Sequence, residues 1–210
     1  MTIIRRGSRG ETVRMVQRIL HLVDDGIFGA ITQEAVIAFQ ESAGLTADGI
    51  VGAATMAALM KRKAAEVIRL RKSKRKIREI IVHCTDTPDG RNHTVEDITK
   101  WHKEKGWATI GYHYVVDING KVLEGRDIDL VGAHCYGHNT YSIGVVYVGG
   151  RDRETGDHKD TRTELQKNAI FNLLIDLKKL YPDAQIYGHH DFDKYKPCPC
   201  FDARTEYRRL

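Results

Sequence analysis

Apolar residues recur at helical spacing through the first 60 positions, then give way to shorter strand-like runs after position 77. Val13, Val16, Ile19 and Leu20 share one helical face, Ala35, Val36 and Phe39 a second, and Met56, Leu59 and Met60 a third. Between these faces Asp25-Gly-Ile-Phe-Gly-Ala-Ile-Thr32 recurs as Asp48-Gly-Ile-Val-Gly-Ala-Ala-Thr55, shifted by 23 residues. Asp-Gly is turn chemistry, because glycine tolerates positive φ. The second glycine of each copy reads as another bend, and Thr32 and Thr55 stand where they can cap the helix that follows. The pattern predicts three short helices pinned by two turns, a small domain over residues 1–60.

Beyond residue 77 the period changes. Residues 77–82 are a β-branched run ending at His83, the pattern of a buried strand. Thr94-Val-Glu-Asp97 opens a helix whose apolar face carries Val95, Ile98 and Trp101. Residues 112–116 and 121–123 flank Asn119-Gly120, a hairpin signal. Residues 142–148 form a further apolar strand, closed by Gly149-Gly150. Thr163-Glu-Leu-Gln166 caps a long helix bearing Leu165, Ala169, Leu173, Leu177 and Leu180, and residues 185–188 are a last short strand. The expected fold class is α/β, a mixed central sheet flanked by helices over residues 77–210, preceded by the three-helix domain.

Residues 61–76 read as a basic linker between the two. Lys61-Arg-Lys63 and Arg69-Leu-Arg-Lys-Ser-Lys-Arg-Lys-Ile-Arg78 carry few core residues, with helix expected near 64–70. An electrostatic contact with an anionic wall is the alternative reading. The net charge of +5 suits nucleic acid, anionic lipid or cell-wall polymer alike and selects none. No motif for reading nucleic acid accompanies it. No apolar run approaches the roughly 18 residues of a membrane span, and the first ten residues hold no apolar signal core. The expectation is a product that stays in the cytoplasm until something releases it. Cys84, Cys135, Cys198 and Cys200 then point to metal ligation, catalysis or burial rather than to disulfides.

The densest chemistry lies in Gly188-His-His-Asp-Phe-Asp-Lys-Tyr-Lys-Pro-Cys-Pro-Cys-Phe-Asp202, a loop after a strand. Neutral imidazole and thiolate both bind zinc, and a catalytic zinc takes three protein ligands with one position open. His83 is a candidate third ligand. The spacing fits no compact zinc finger, so ligand chemistry alone leaves a metal site and an ordinary hydrogen-bonded loop both open. His134, His138 and Asn139 precede an apolar strand and are candidates to line a substrate groove. His113 alternates with Tyr112 and is expected on the opposite face.

Seven segments carry a resemblance: Ile81-Val-His-Cys-Thr85, Gly111-Tyr-His-Tyr-Val-Val116, Gly132-Ala-His134, Asn139, Ser142-Ile-Gly-Val145, Gly188-His-His190 and Lys196-Pro-Cys-Pro-Cys-Phe-Asp202. In this order they resemble the zinc N-acetylmuramoyl-L-alanine amidases of phage lysozymes and peptidoglycan-recognition proteins, from about residue 78 to 208. The resemblance implies Zn2+ as cofactor, His83, His189 and Cys198 as its ligands, and Tyr112 and Lys196 as catalytic residues. His190 and Cys200 are alternatives in register, though the Lys-x-Cys-Pro spacing favours Cys198. The N-terminal repeat resembles the peptidoglycan-binding domain often joined to wall hydrolases, with Ala30 and Ala53 where that domain usually has proline.

The implied reaction is hydrolysis of the amide between N-acetylmuramic acid and L-alanine, by a phage or prophage endolysin released on host lysis. The implied partner is bacterial peptidoglycan, with no nucleic acid or membrane, met by a monomer. A non-catalytic wall-binding protein and a zinc peptidase cutting elsewhere in the stem peptide are the alternatives. An amide resists hydrolysis because its carbonyl is a poor electrophile and its amine a poor leaving group. Zinc polarises the carbonyl and lowers the pKa of bound water towards about 7, and a nearby cation such as Lys196 offsets the developing oxyanion.

Overall fold

The computed structural model describes residues 3–20, 22–66 and 70–210, with the backbone alone over 62–66. The chain divides into two units, residues 1–67 and 68–210. In the first, α1 (Glu11–Ile19), α2 (Ala30–Ser42) and α3 (Ala53–Glu66) close on Val13, Val16, Phe28, Val36, Val51 and Leu59, each at most 1% exposed. Met60, expected on the buried face, is 44% exposed; Met56 and Leu59 fill the core and Met60 lies one position round the helix.

A buried glutamine fastens each Asp-Gly turn. Gln17 Nε2 donates to Asp25 Oδ1 (2.8 Å), the Ile27 carbonyl (3.0 Å) and Thr32 Oγ1 (3.1 Å), while its Oε1 accepts from Gly26 N (2.9 Å). Gln40 repeats this with Asp48, Ile50, Thr55 and Gly49 at 2.8, 3.0, 3.1 and 2.9 Å. Gly26 and Gly49 have φ of +75° and +69°, a region that a Cβ makes costly. The threonines therefore do not cap. Gly29 is the N-cap of α2, without a side-chain bond, and Thr32 and Thr55 lie inside the first turns with their hydroxyls engaged by the glutamines.

The second unit contains β1 (Glu79–Cys84), β2 (Thr87–Pro88), β3 (Tyr114–Val116), β4 (Val122–Glu124), β5 (Ser142–Tyr147), β6 (Gly150–Arg151) and β7 (Gln185–Gly188). Five strands form a mixed sheet in the order β4-β3-β5-β1-β7, parallel except for the β3–β4 hairpin, and β2 pairs with β6 separately. Its helices are α4 (Val95–Glu104), α5 (Glu164–Leu180) and α6 (Ala203–Glu206). Reciprocal capping boxes open α4 at Thr94/Asp97 and α5 at Thr163/Gln166.

Strand alternation sorts the two faces of the sheet. Ile80, Val82 and Cys84 of β1 join Ile143, Val145 and Tyr147 of β5 against Ile170, Leu173, Leu174 and Leu177 of α5. Val115, Val146 and Val148 pack instead with Ile98 of α4. His83, between Val82 and Cys84, is thereby turned towards the α4 face. The hairpin turn spans 117–120: Asp117 Oδ1 accepts from Asn119 N (2.9 Å) and Lys121 N (2.8 Å), and Gly120 has φ +76°. Tyr112 and His113, expected inside the strand, precede β3.

Within and beside the basic stretch expected to be a solvated linker, Leu70 and Ile77 pack against the core. The helix expected there runs to Glu66, and 67–69 lie outside the described residues. Arg71 pairs with Asp127 (2.7 Å) and Asp129 (2.6 Å). Ser73 is buried and donates to the Ile128 carbonyl. Arg75 donates to the carbonyls of Ile128, Asn139, Thr140 and Ser142. Carboxylates and backbone oxygens thus engage Arg71 and Arg75, while Lys72, Lys74 and Lys76 stay exposed. Among the described residues, no helix is long and apolar enough to cross a membrane.

Candidate active site

His83 lies near the end of β1, and His189 follows β7, the parallel neighbour of β1. Two adjacent strands thus deliver imidazoles at their carboxyl ends, where open α/β sheets place their sites. Cys198 is held beside them: its carbonyl accepts from His190 N (2.8 Å) and its Sγ accepts from Cys84 N (3.2 Å). One ligand-type atom from each of His83, His189 and Cys198 lies within 4.8 Å of the others, and His83 Nδ1 is 3.7 Å from Cys198 Sγ. Tetrahedral ligands about 2.0–2.3 Å from one cation stand roughly 3.5 Å apart, close to this spacing.

Burial, then the neighbouring imidazoles, push His83 well below the usual histidine range. Burial, then Lys196, lower His189. Neutral rings are what metal ligation requires, and two imidazoles with one thiol are a zinc donor set. His190 and Cys200 stand outside the cluster. Cys200 Sγ faces Cys84 Sγ at 3.8 Å and the Gly150 carbonyl at 3.3 Å.

A cleft of about 500 Å3 opens at this cluster. Tyr112, His134 and Lys196 share its lining with His189 and Cys198, as do Trp101, His102 and Trp107 from α4 and the loop after it. The Tyr112 ring lies 5.1 Å from that of His83. Burial pushes the Tyr112 phenol upward, so the group is an O–H donor. Lys196 is exposed, its backbone N bonded to the Asp193 carbonyl (2.9 Å).

His102 belongs to none of the motifs visible in the sequence. Its Nδ1 accepts from Gly111 N (3.0 Å), and its ring stands 4.5 Å from Trp107 and 5.4 Å from Tyr112. Burial lowers it to about 4. The available signal was its place four residues after Ile98, on the buried face of α4.

The three expected groove residues have partners within the protein. His134, 7% exposed, touches the cleft but has its Nδ1 3.0 Å from His83 Nε2. His138 binds Glu79 Oε2 (2.9 Å) and stacks on Phe192 at 3.7 Å. Asn139 Oδ1 accepts from His134 N (2.8 Å) and Cys135 N (2.9 Å). Neither His138 nor Asn139 is on the cleft lining. His113 is core: it is 1% exposed and its Nδ1 accepts from Gly144 N (3.0 Å).

Residues 73–201 match the N-acetylmuramoyl-L-alanine amidase family, and residues 9–59 match a peptidoglycan binding domain. The chain is 41% identical over 126 residues to an endolysin of Klebsiella phage KP32 and 40% identical over 125 residues to one of Escherichia phage T7. Each alignment covers 60% of this chain and 82% of the relative. Among solved structures, the endolysin amidase LysCS from Clostridium intestinale superposes with a TM-score of 0.54 at 25% identity, covering 65% of this chain and 84% of that one. Drosophila PGRP-LB shares the fold, with a TM-score of 0.53 at 23% identity over 69% of this chain and 89% of its own. On its sequence over residues 73–201 and on its fold, this chain belongs to the N-acetylmuramoyl-L-alanine amidase family.

Proposed function

We propose that the chain acts as a zinc enzyme on the amide between N-acetylmuramic acid and L-alanine of bacterial peptidoglycan, and that it serves as an endolysin. The observation that carries this reading is the convergence of His83, His189 and Cys198 at a cleft that Tyr112 and Lys196 also line. When bound, zinc supplies Lewis acidity at the carbonyl and acidity to water. The chain's own residues supply the rest. Tyr112, kept protonated by burial, donates its O–H towards the oxygen that gains charge. The Lys196 ammonium on the same lining offsets that charge. Trp101, His102 and Trp107 displace water from one wall, which strengthens each of these interactions.

The complete donor set favours an enzyme over a protein that only binds the wall. The first unit, matched by a peptidoglycan binding domain, would hold the chain on the polymer and raise the local concentration of scissile bonds. The test incubates purified protein with peptidoglycan, with and without a chelator, and identifies released ends by mass spectrometry. Peptides with free N-terminal alanine, lost on chelation and restored by zinc, are the expected result. Cleavage at another bond overturns the substrate assignment, and sacculus binding without cleavage by zinc-loaded protein overturns the enzyme.

A further inference from the structure

Behind His83, on the side away from Cys198, lies a second imidazole that the proposed reaction does not use. His134 Nδ1 is 3.0 Å from His83 Nε2, and His134 Nε2 is 3.3 Å from Ser142 Oγ. His83, His134 and Ser142 are all buried, so water does not substitute for these contacts. The ring occupies a built seat. A Cβ on Gly132 would stand 2.5 Å from His134 Cδ2, and one on Gly144 would stand 2.6 Å from the same atom. Such distances are far inside van der Waals contact, so only glycine at both positions admits the imidazole. Asn139 pins the backbone at His134 and Cys135 from the other direction.

From this geometry, and resting on the metal reading above, we infer that His134 is a positioning residue: with Ser142 it fixes which nitrogen His83 offers to the metal. The donors and acceptors can be followed atom by atom. His83 Nδ1 faces Cys198, so a cation there takes its lone pair and the ring proton must sit on Nε2. His134 Nδ1 must then accept that proton's hydrogen bond, which leaves the His134 proton on Nε2. Ser142 Oγ accepts from it in turn. Each group has one role compatible with the next, and the alternative tautomer of His83 would set Nδ1–H against the cation. Outer partners of this kind orient a metal-bound histidine and raise its basicity, and their loss typically costs about 10- to 100-fold in metal affinity. His134 would thus act on the metal through His83, rather than on the glycan.

The test compares two variants of nearly equal shape, His134→Asn and His134→Leu. Asparagine places an acceptor oxygen close to where the imidazole Nδ1 stood; leucine places a methyl group there. Zinc affinity is measured on the full chain by competition with a chromophoric chelator. Wild type binding zinc, His134→Leu losing about 10- to 100-fold and His134→Asn recovering most of that is the expected pattern. Equal affinities for the two variants overturn the role of His134. Absence of zinc binding by the wild type overturns the metal reading instead, so the two failures are distinguishable. Should both variants fail to fold, nitrogen-15 chemical shifts of the metal-free wild type still decide the matter. A proton on His83 Nε2 and on His134 Nε2 is required, and a proton on His83 Nδ1 refutes it.

Discussion

Arg162→Met should cost the second unit about 3 kcal/mol of stability. The Arg162 side chain is 2% exposed. Its guanidinium grips Asp160 through Nε and Nη2, both at 2.8 Å, and Glu206 through Nη1 and Nη2, both at 2.9 Å. A further bond at 2.9 Å reaches Tyr207 Oη, and the guanidinium carbon stands 3.2 Å from the centre of the Phe201 ring. The residue therefore ties the chain before α5 to α6 and to the loop carrying Cys198. Removing one partner of a fully buried pair costs roughly 3–5 kcal/mol. Asp160 and Glu206 are 30% and 41% exposed, so water takes part of that load and about 2–3 kcal/mol remains. Loss of the ring contact adds about 1 kcal/mol. The chain's two tryptophans, Trp101 and Trp107, both lie in this unit, so urea unfolding of metal-free protein followed by tryptophan fluorescence reports on it alone. Arg162→Lys, which keeps charge but not the fork, should fall between variant and wild type. A loss below about 1 kcal/mol for Arg162→Met would refute the assignment of this node.

Lys196→Ala should retain zinc and lose about 100- to 1,000-fold in turnover; near-normal release of N-terminal alanine would remove Lys196 from the reaction. Gln40→Leu leaves Gly49 N without its acceptor, costing the first unit about 1–3 kcal/mol, while the Ile50 carbonyl keeps Gly52 N and Thr55 Oγ1. Sacculus pull-down at raised temperature should weaken while hydrolysis of a soluble muropeptide persists, and unchanged pull-down contradicts the role given to the glutamine. Burial holds both His102 and His113 at about 4, below the roughly 6.5 of an unfolded histidine. The unfolded chain then binds more protons between these values, so stability should be complete above about pH 6.5 and fall as pH drops towards 4. A flat urea midpoint from pH 7 to 4.5 would count against this.

What was legible in the sequence was mostly local. Both capping boxes lie within four residues, and each formed where Thr94 and Thr163 predicted. Misplaced features depend on partners far along the chain. Thr32 resembles a cap until Gln17, 15 residues earlier, takes its hydroxyl. Arg71 and Arg75 look unpartnered until Asp127, Asp129 and the carbonyls of Ile128 and Ser142 come to them from far along the chain. Nothing in the segment of His134 announces that Gly144, on β5, leaves room for its ring. His83, His189 and Cys198 were named by resemblance to a family rather than by spacing, and their meeting depends on β7 lying beside β1.

That strand order has a consequence for how the protein is made. β1 lies inside the sheet, flanked by β5 and β7, and His83 is separated from His189 and Cys198 by more than a hundred residues. Parallel pairing across such a span is among the slower events of folding. During synthesis the chain can thus hold formed helices, a hairpin and most of a sheet while the three proposed ligands are still apart. On the metal site proposed above, hydrolytic competence would arrive only with the β1–β7 pairing. A stalled, nicked or truncated chain lacking β7 would then hold the wall through its first unit without cutting it, and the topology would act as a timer on a destructive activity.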